Sequence, residues 1–399
     1  MFFFFLLLVF FDKRLYNPAM KYFITTFGCQ MNVHESEKLA GALENLGALP
    51  CQNLEEADVI VFNTCAIREG AEDRAIGNIG ALKKLKKEHP EKIVAVCGCM
   101  TQIKEESEKL AKTFPFIDII FGTKNLEKFE GFIKEVVKSK QEKKKKRINE
   151  IEENDYIIEN LPIARTSGKN FWVNIIYGCN NFCTYCIVPY VRGRERSRDK
   201  EQILDEIKKV IKENESPNEK IRITLLGQNV NSYGKDKYED YSFVNLLKDI
   251  CKLDGNFELA FMTSHPKDIN DEVIETIAKE EKIAKELHLP VQSGSNKILK
   301  AMNRNYTVEK YMEKVNFLRS LIPNIRLSTD LIVGFPGETE EDFLATCDLV
   351  KKVKYDGIFA FMYSPRPGTV AEKMENQVPQ EIKNYRVNKI FEIQQNIKK

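Results

Sequence analysis

From Lys169 onward the chain alternates short apolar runs with helical periods six times, and this alternation constrains its fold more than any other feature. Strand-like runs fall at 171–176, 221–226, 257–262, 287–291, 325–333 and 358–362, with helical periods at 201–212, 244–252, 271–278, 308–321 and 340–353. Six β-α units of this length predict an α/β partial barrel of parallel strands, a (β/α)6 arrangement with its working rim at the carboxyl ends of the strands. Polar and glycine-rich segments fall on that rim. They are Cys179 after the first strand, Gly227-Gln228-Asn229 after the second, Thr263-Ser264-His265 after the third and Gln292-Ser293-Gly294 after the fourth. Gly334-Phe335-Pro336-Gly337 and Tyr363-Ser364-Pro365-Arg366 follow the fifth and sixth.

The N-terminal part repeats a different unit. Three apolar runs end directly in cysteine, at Cys29, Cys65 and the pair Cys97/Cys99, with helical patterns at 35–46 and 69–88 between them. The cysteines recur about every 35 residues, which suits one β-α unit apiece in a small open parallel sheet. Ligands of such sheets bind outside the carboxyl ends of the strands, so cysteines far apart in sequence are expected to converge on one crevice. Cys99, one residue beyond Gly98, lies further into the loop than Cys97 and is the better candidate. A further strand is expected at 116–122.

A second cysteine group is local: Tyr177-Gly178-Cys179-Asn180-Asn181-Phe182-Cys183-Thr184-Tyr185-Cys186 spaces three thiols as C-x3-C-x2-C. Three thiolates can hold three irons of a [4Fe–4S] cluster and leave the fourth open, whereas a closed structural zinc site normally takes four protein ligands. Ten cysteines in 399 residues are too sparse for a disulfide scaffold and favour ligation in a reducing compartment. Cys51, Cys251 and Cys347 read as plain core residues. An open iron can bind a chelating cofactor, and the amino and carboxylate groups of S-adenosylmethionine suit it as a source of radical chemistry. A zinc-binding module is the alternative from another class; it would be colourless where the enzyme would be brown.

With an aromatic residue, Tyr185, before its last cysteine, the C-x3-C-x2-C loop resembles the radical SAM signature, and the stretch 177–198 is similar to the methylthiotransferases. Gly28-Cys29-Gln30-Met31-Asn32, Asn63-Thr64-Cys65-Ala66-Ile67-Arg68-Glu69, the stretch 226–234 and Ser364-Pro365-Arg366-Pro367-Gly368-Thr369 resemble the MiaB-type branch, which modifies tRNA; the resemblance spans 20–395. It implies that Cys179, Cys183 and Cys186 hold the radical SAM cluster, and that Cys29, Cys65 and Cys99 hold a second [4Fe–4S] cluster carrying the sulfur to be inserted. One S-adenosylmethionine would supply a methyl group and another a 5′-deoxyadenosyl radical, which takes a hydrogen from C2 of N6-isopentenyladenosine beside the anticodon, at position 37. The implied partners are a tRNA anticodon stem-loop and an electron donor such as flavodoxin or ferredoxin, for a cytoplasmic monomer with no membrane. Family members acting on threonylcarbamoyl-adenosine or on a ribosomal-protein aspartate are the nearest rivals, and the motifs after Cys29 and Cys65 favour the isopentenyl-adenosine branch.

Tyr185 through its backbone, with Gln228, Ser293 and Asp330 at the rim, are the candidate cofactor contacts. Arg192, Arg194, Arg196 and Arg198 alternate after the cluster loop and form the candidate RNA strip, since guanidinium forks suit phosphates and stack on bases. His265 and His288 fall near the rim without a decisive signal. The expected organisation is an apolar leader or mis-assigned start at 1–19, a methylthiotransferase domain at 20–137, a charged linker at 138–165, the radical SAM domain at 166–385 and a C-terminal helix at 386–399. The apolar run of the leader is shorter than the roughly 20 residues a spanning helix needs. The family's usual C-terminal RNA-binding β-barrel, TRAM, is expected to be missing. The net charge of +2 is too small to identify a partner.

Overall fold

The computed structural model describes residues 20–397, apart from 68, 154–155, 158, 166–167, 215 and 217–218. The segment 1–19, read as a leader, lies outside the described residues, as does Arg68 of the second cysteine motif.

The N-terminal unit is a six-stranded, all-parallel sheet of β1 (Lys21–Thr26), β2 (Leu49–Pro50), β3 (Val59–Thr64), β4 (Ile93–Gly98), β5 (Ile119–Phe121) and β6 (Ile148–Glu150). Its order is β2-β1-β3-β4-β5-β6. The helices are α1 (Gln30–Asn45), α2 (Glu69–Glu88), α3 (Lys104–Thr113) and α4 (Phe129–Gln141). Leu39 and Leu43 of α1 and Phe129 and Ile133 of α4 cover one face of the sheet, while Ala75 and Ile79 of α2 and Leu110 of α3 cover the other. With helices on both faces, every residue of β3 and β4 is buried, which is why these strands read as unbroken apolar runs. The chain winds outward in both directions from the β1/β3 pair, and this switch point opens a crevice at the carboxyl ends of those two strands.

Helix α1 starts at Gln30, five residues before its sequence pattern becomes legible. Asn32, His34, Glu35, Ser36, Glu37 and Lys38 are all buried, so its first turns bury polar side chains and hide the apolar stripe. The segment read as a linker is exposed through the basic run 143–147 but then supplies the edge strand β6. Lys128 holds it through Glu150 and Glu152.

The second unit is a partial barrel of six parallel strands: β7 (Asn170–Asn174), β10 (Ile221–Leu226), β11 (Phe257–Phe261), β12 (Glu286–His288), β13 (Arg326–Val333) and β14 (Gly357–Met362). They form two sheets, β11-β10-β7 and β12-β13-β14, linked by the Leu259–Ile283 bridge. A small antiparallel pair, β8 (Ile176–Tyr177) with β9 (Arg196–Ser197), follows β7. Regular pairing in β12 stops at His288, short of the expected 291, because Pro290 has no N–H to give the ladder. Outside lie α5 (Val188–Arg192), α6 (Lys200–Glu213), α7 (Phe243–Cys251), α8 (Asp271–Lys279), α9 (Asn296–Ala301), α10 (Val308–Leu321), α11 (Glu340–Val353) and α12 (Gln380–Ile397). The side chains of Asp199, Asn270, Ser295, Thr307 and Thr339 accept from N–H groups in the first turns of α6, α8, α9, α10 and α11, fixing where those helices begin. At the amino ends of the strands, Arg222 pairs with Glu258 and Glu286, and Glu286 with Arg326, so ion pairs close the end opposite the rim.

Candidate active site

The first three-cysteine set forms where β1, β3 and β4 end. Cys29 is the N-cap residue of α1, Cys65 follows β3, and Cys99 follows β4 through Gly98. Two close backbone approaches depend on glycine. At Gly28 (φ +108) an added Cβ would lie 2.7 Å from Cys65 Cβ, and at Gly98 (φ +106) it would lie 2.3 Å from the Thr64 carbonyl oxygen. Asn32 Nδ2 donates to the carbonyls of Phe27 (2.8 Å) and Thr64 (2.9 Å), and Asn63 Nδ2 donates back to the Asn32 carbonyl (2.8 Å). The two asparagines of the Gly28–Asn32 and Asn63–Glu69 motifs thus lock two strand ends together. Cys97 lies on β4 with its side chain in the sheet core beside Leu39 and Phe129. Cys99 instead packs with Ala66, Ile187 and Val191, on the side where Cys65 and Cys29 act on it electrostatically.

The second set is a loop. Gly178 (φ +75) donates its N–H to Gln228 Oε1 (2.6 Å), and Cys179 donates its own to the Gly193 carbonyl (3.2 Å). Asn303 Nδ2 donates to the carbonyls of Asn181 and Phe182, each at 3.1 Å, and Thr184 Oγ1 donates to that of Ala301 (2.9 Å). The loop is therefore clamped by the turn after α9, a support no motif announced.

Burial pushes the thiols of Cys99 and Cys186 up to about 12 and that of Cys179 to about 11; Arg192 pulls Cys99 and Arg304 pulls Cys186 the other way. At neutral pH these free thiols are protonated, so any metal they take must displace protons. Among the described residues no three His, Cys, Asp or Glu side chains converge as they would on one ion. A four-iron cluster is wider, and each thiolate takes a different iron.

The two sets face each other across α5. Ile187, next to Cys186, packs against Cys99, and Arg192 at the end of α5 reaches Glu35, Asn32 and Cys99. Gln228 Nε2 donates to Met31 Sδ (2.6 Å), and Arg366 reaches Glu72 (3.1 Å) and the Ile67 carbonyl (3.2 Å). Five sequence motifs thus meet along one domain junction.

The arginine strip is corrected by these contacts. Arg192 is buried on Glu35, and Arg198 is buried between Glu159 and Glu206, so neither offers its guanidinium to an outside phosphate. Arg194 is exposed, its guanidinium 4.3 Å from the Phe182 ring centre, and Arg196 is half-buried with Nη2 donating to the Arg192 carbonyl. The arginines at 192, 194, 196 and 198 alternate in sequence but do not form one strip, since Arg192 ends a helix and only Arg196–Ser197 is strand.

At the rim, Ser293 is fully buried, its Oγ accepting from Ser295 N (3.2 Å) and lying 3.4 Å from Thr346 Oγ1, so its polar group closes a turn. Asp330 is half-buried beside His288 Nε2 (3.4 Å). The half-buried Tyr185 ring packs with Ile298, Met302, Phe335 and Tyr363, and burial raises its phenol well above the ordinary value. The rim segments read from the sequence carry a further set of residues that were not singled out there as cofactor contacts. Asn229 Oδ1, Asn231 Nδ2, Ser264 Oγ, His265 Nε2, Gln292 Oε1 and Tyr363 OH are buried polar atoms with no hydrogen-bond partner among the described residues. Buried polar atoms normally have partners, and here the orphans follow β10, β11, β12 and β14 at one rim, as a polar cofactor would require. Thr263 (φ +72) and Gln292 (φ +71), both at strand ends, hold the left-handed backbone that strained functional loops adopt.

A partial parallel barrel with a three-cysteine loop at its rim defines a radical SAM enzyme, and residues 173–350 match the model of the radical SAM superfamily. Residues 21–122 match the family described as uncharacterized protein family UPF0004. Two curated relatives carry the name tRNA-2-methylthio-N(6)-dimethylallyladenosine synthase. The one from Caldicellulosiruptor saccharolyticus is 53% identical over 376 residues, 94% of this chain and 78% of the relative. The one from Clostridium botulinum (strain Loch Maree / Type A3) is 54% identical over 378 residues, 94% of this chain and 82% of the relative. The chain belongs to this methylthiotransferase family. Among solved structures, apo OxsB, a cobalamin-dependent S-adenosylmethionine radical enzyme, shares the fold with a TM-score of 0.56 at 14% identity. That match covers 96% of this chain, which spans 57% of OxsB.

Proposed function

We propose that this chain is the radical SAM methylthiotransferase that converts N6-isopentenyladenosine, at position 37 of tRNA, to its 2-methylthio derivative. The observation that carries the proposal is the placement of two three-cysteine sets on opposite sides of α5, within a family whose members are named for this product. Cys179, Cys183 and Cys186 hold one [4Fe–4S] cluster and Cys29, Cys65 and Cys99 the other. When bound, the clusters and S-adenosylmethionine supply the radical, the sulfur and the methyl group.

The chain's own residues shape that chemistry. Gln228 fixes the cluster loop through Gly178 N–H and ties it to Met31 of the other unit. The orphaned rim atoms, with Asp330 and the Tyr185 backbone, hold the polar groups of the cofactor. Ile187, Val191 and Ala66 form a dry wall between the two sets that keeps water from a reactive centre. Arg194 and Arg196 are the members of the strip left to meet RNA, through stacking and phosphate contact. Among the described residues no helix is long and apolar enough to cross a membrane, and a cytoplasmic monomer fed by a flavodoxin- or ferredoxin-like donor completes the proposal.

The test is mass spectrometry of tRNA nucleosides from a deletion strain. The methylthio nucleoside is expected to vanish and its isopentenyl precursor to accumulate, and persistence of the methylthio form refutes the assignment.

A further inference from the structure

Each three-cysteine set is approached by one buried arginine. Arg192 and Arg304 are each only 4% exposed. Arg192 Nη2 donates to Cys99 Sγ at 3.2 Å, and Arg304 Nη1 donates to Cys183 Sγ at 3.6 Å. The rest of each fork is fixed. Arg192 bonds Glu35 at 2.5 and 3.1 Å and Asn32 Oδ1 at 2.9 Å. Arg304 bonds the Pro290 carbonyl at 2.7 Å and the Tyr306 hydroxyl at 3.1 Å. Neither guanidinium can swing away without breaking these bonds.

The two arginines differ in counter-charge. Glu35 neutralises Arg192 directly, whereas among the described residues no carboxylate lies within ion-pair distance of Arg304. The groups near Arg304 that can become anionic are Tyr306, Tyr185, Cys183 and Cys186. A guanidinium stays charged at any working pH, and a buried unpaired charge is costly. The fold therefore keeps a cation at Cys183 whose natural complement is an anionic ligand at that site.

We infer that Arg192 and Arg304 are positioning residues that set the reduction potentials of the two clusters, each acting on the one its own cysteine ligates. Arg304 does so with full charge, and Arg192 does so with charge offset by Glu35. The physical basis is that net charge and hydrogen bonds to ligand sulfur govern the potential of a cluster, and a nearby cation favours the reduced form. The inference rests on the two-cluster proposal above. It also explains why Arg192 is buried rather than presented to RNA.

The experiment is an anaerobic redox titration of the reconstituted full chain, followed by electron paramagnetic resonance, with iron and sulfide counted in every sample. Arg304→Met is expected to move the Cys179/Cys183/Cys186 cluster to a more negative potential and leave the other unmoved, and Arg192→Met, which leaves the Glu35 carboxylate uncompensated, to move the Cys29/Cys65/Cys99 cluster to a more negative potential and leave the first unmoved. Glu35→Gln, which unmasks Arg192, is expected to move the Cys29/Cys65/Cys99 cluster to a more positive potential, a sign that loosened packing has no reason to produce. Arg304→Lys and Arg192→Lys, which keep the charge and lose the fork, are expected to retain most of the wild-type value. If a methionine variant fails to assemble, Glu35→Gln gives the reading for the Cys29/Cys65/Cys99 cluster, and Arg304→Gln, which removes the charge and keeps an amide donor, gives it for the other, with a shift to more negative potential expected. Unmoved potentials in the methionine variants and in Glu35→Gln, at full iron content, overturn the inference while leaving the two-cluster proposal intact. A wild-type protein with iron for only one cluster overturns the proposal, and the inference with it.

Discussion

The two cysteine sets reach similar chemistry by opposite routes. Cys179, Cys183 and Cys186 lie within one loop, whereas Cys29, Cys65 and Cys99 are gathered from three strand ends spread across a sheet. The loop needs local clamps: Gln228 at its start, Asn303 and Thr184 along it. The strand-end set needs the β1/β3 switch point and two glycines that let backbones nearly touch. A local site is easy to form and needs support from outside; a topological site is supported by the fold and fails when the fold shifts. The difference also orders how each site is expected to break.

The largest effect separates the sites by chemistry. Cys183→Ala is expected to abolish S-adenosylmethionine cleavage and product together. Cys65→Ala is expected to keep the cleavage, read as 5′-deoxyadenosine, and to lose the methylthio nucleoside. Equal loss of cleavage in both variants would erase the division of labour.

Next come the glycines. Gly98→Ala meets the Thr64 carbonyl at 2.3 Å, and Gly178→Ala meets the Arg194 carbonyl at 2.0 Å, both at positive φ. Backbone strain alone costs on the order of 1–3 kcal/mol. Gly98→Ala is expected to lower the unfolding midpoint in urea and lose the strand-end iron, and Gly178→Ala to lose the loop iron with less global destabilisation.

A smaller effect is expected at the junction. Arg366→Ala removes the bonds to Glu72 and the Ile67 carbonyl and leaves a partly buried carboxylate unpaired, costing about 1–3 kcal/mol. Cleavage of the cofactor should survive, while transfer of the methylthio group, which needs both units in register, should fall. Transfer that keeps pace with cleavage would show the contact to be dispensable.

The smallest is a pH effect at the rim. Burial, helped by the Arg304 cation, pushes His265 down to about 2, so it is neutral when folded but titrates near 6.5 when unfolded. Its stabilisation is whole above about 6.5 and declines as pH falls below that value toward about 2, because the unfolded chain then binds the extra proton. The slope is at most about 1.4 kcal/mol per pH unit. Urea unfolding between pH 7.5 and 5 should show this decline, and His265→Gln should lessen it, leaving the share of His34, which burial also holds well below its ordinary value.

Much of the architecture was legible because parallel strands buried on both faces become continuous apolar runs, as in Val59–Thr64 and Ile93–Gly98. The edge strands Leu49–Pro50 and Ile148–Glu150 were not, since two or three residues carry no period. The cysteine motifs showed their spacing, and glycine beside Cys29, Cys99 and Cys179 marked the tight approaches. What sequence could not show was direction. Arg192 and Arg198 turn inward to carboxylates supplied by distant elements, and Glu35 hides in a helix whose buried polar residues mask its periodicity. Arg304 carried no signal, because its role depends on where the turn after α9 packs.

The central claim is that each three-cysteine set holds its own four-iron cluster. Iron and sulfide counts after anaerobic reconstitution test it, comparing wild type with the Cys29/Cys65/Cys99 and Cys179/Cys183/Cys186 triple alanine variants. The account predicts about eight irons for the wild type and about four for each variant; a variant that keeps the full wild-type count, or a wild type with about four, contradicts it.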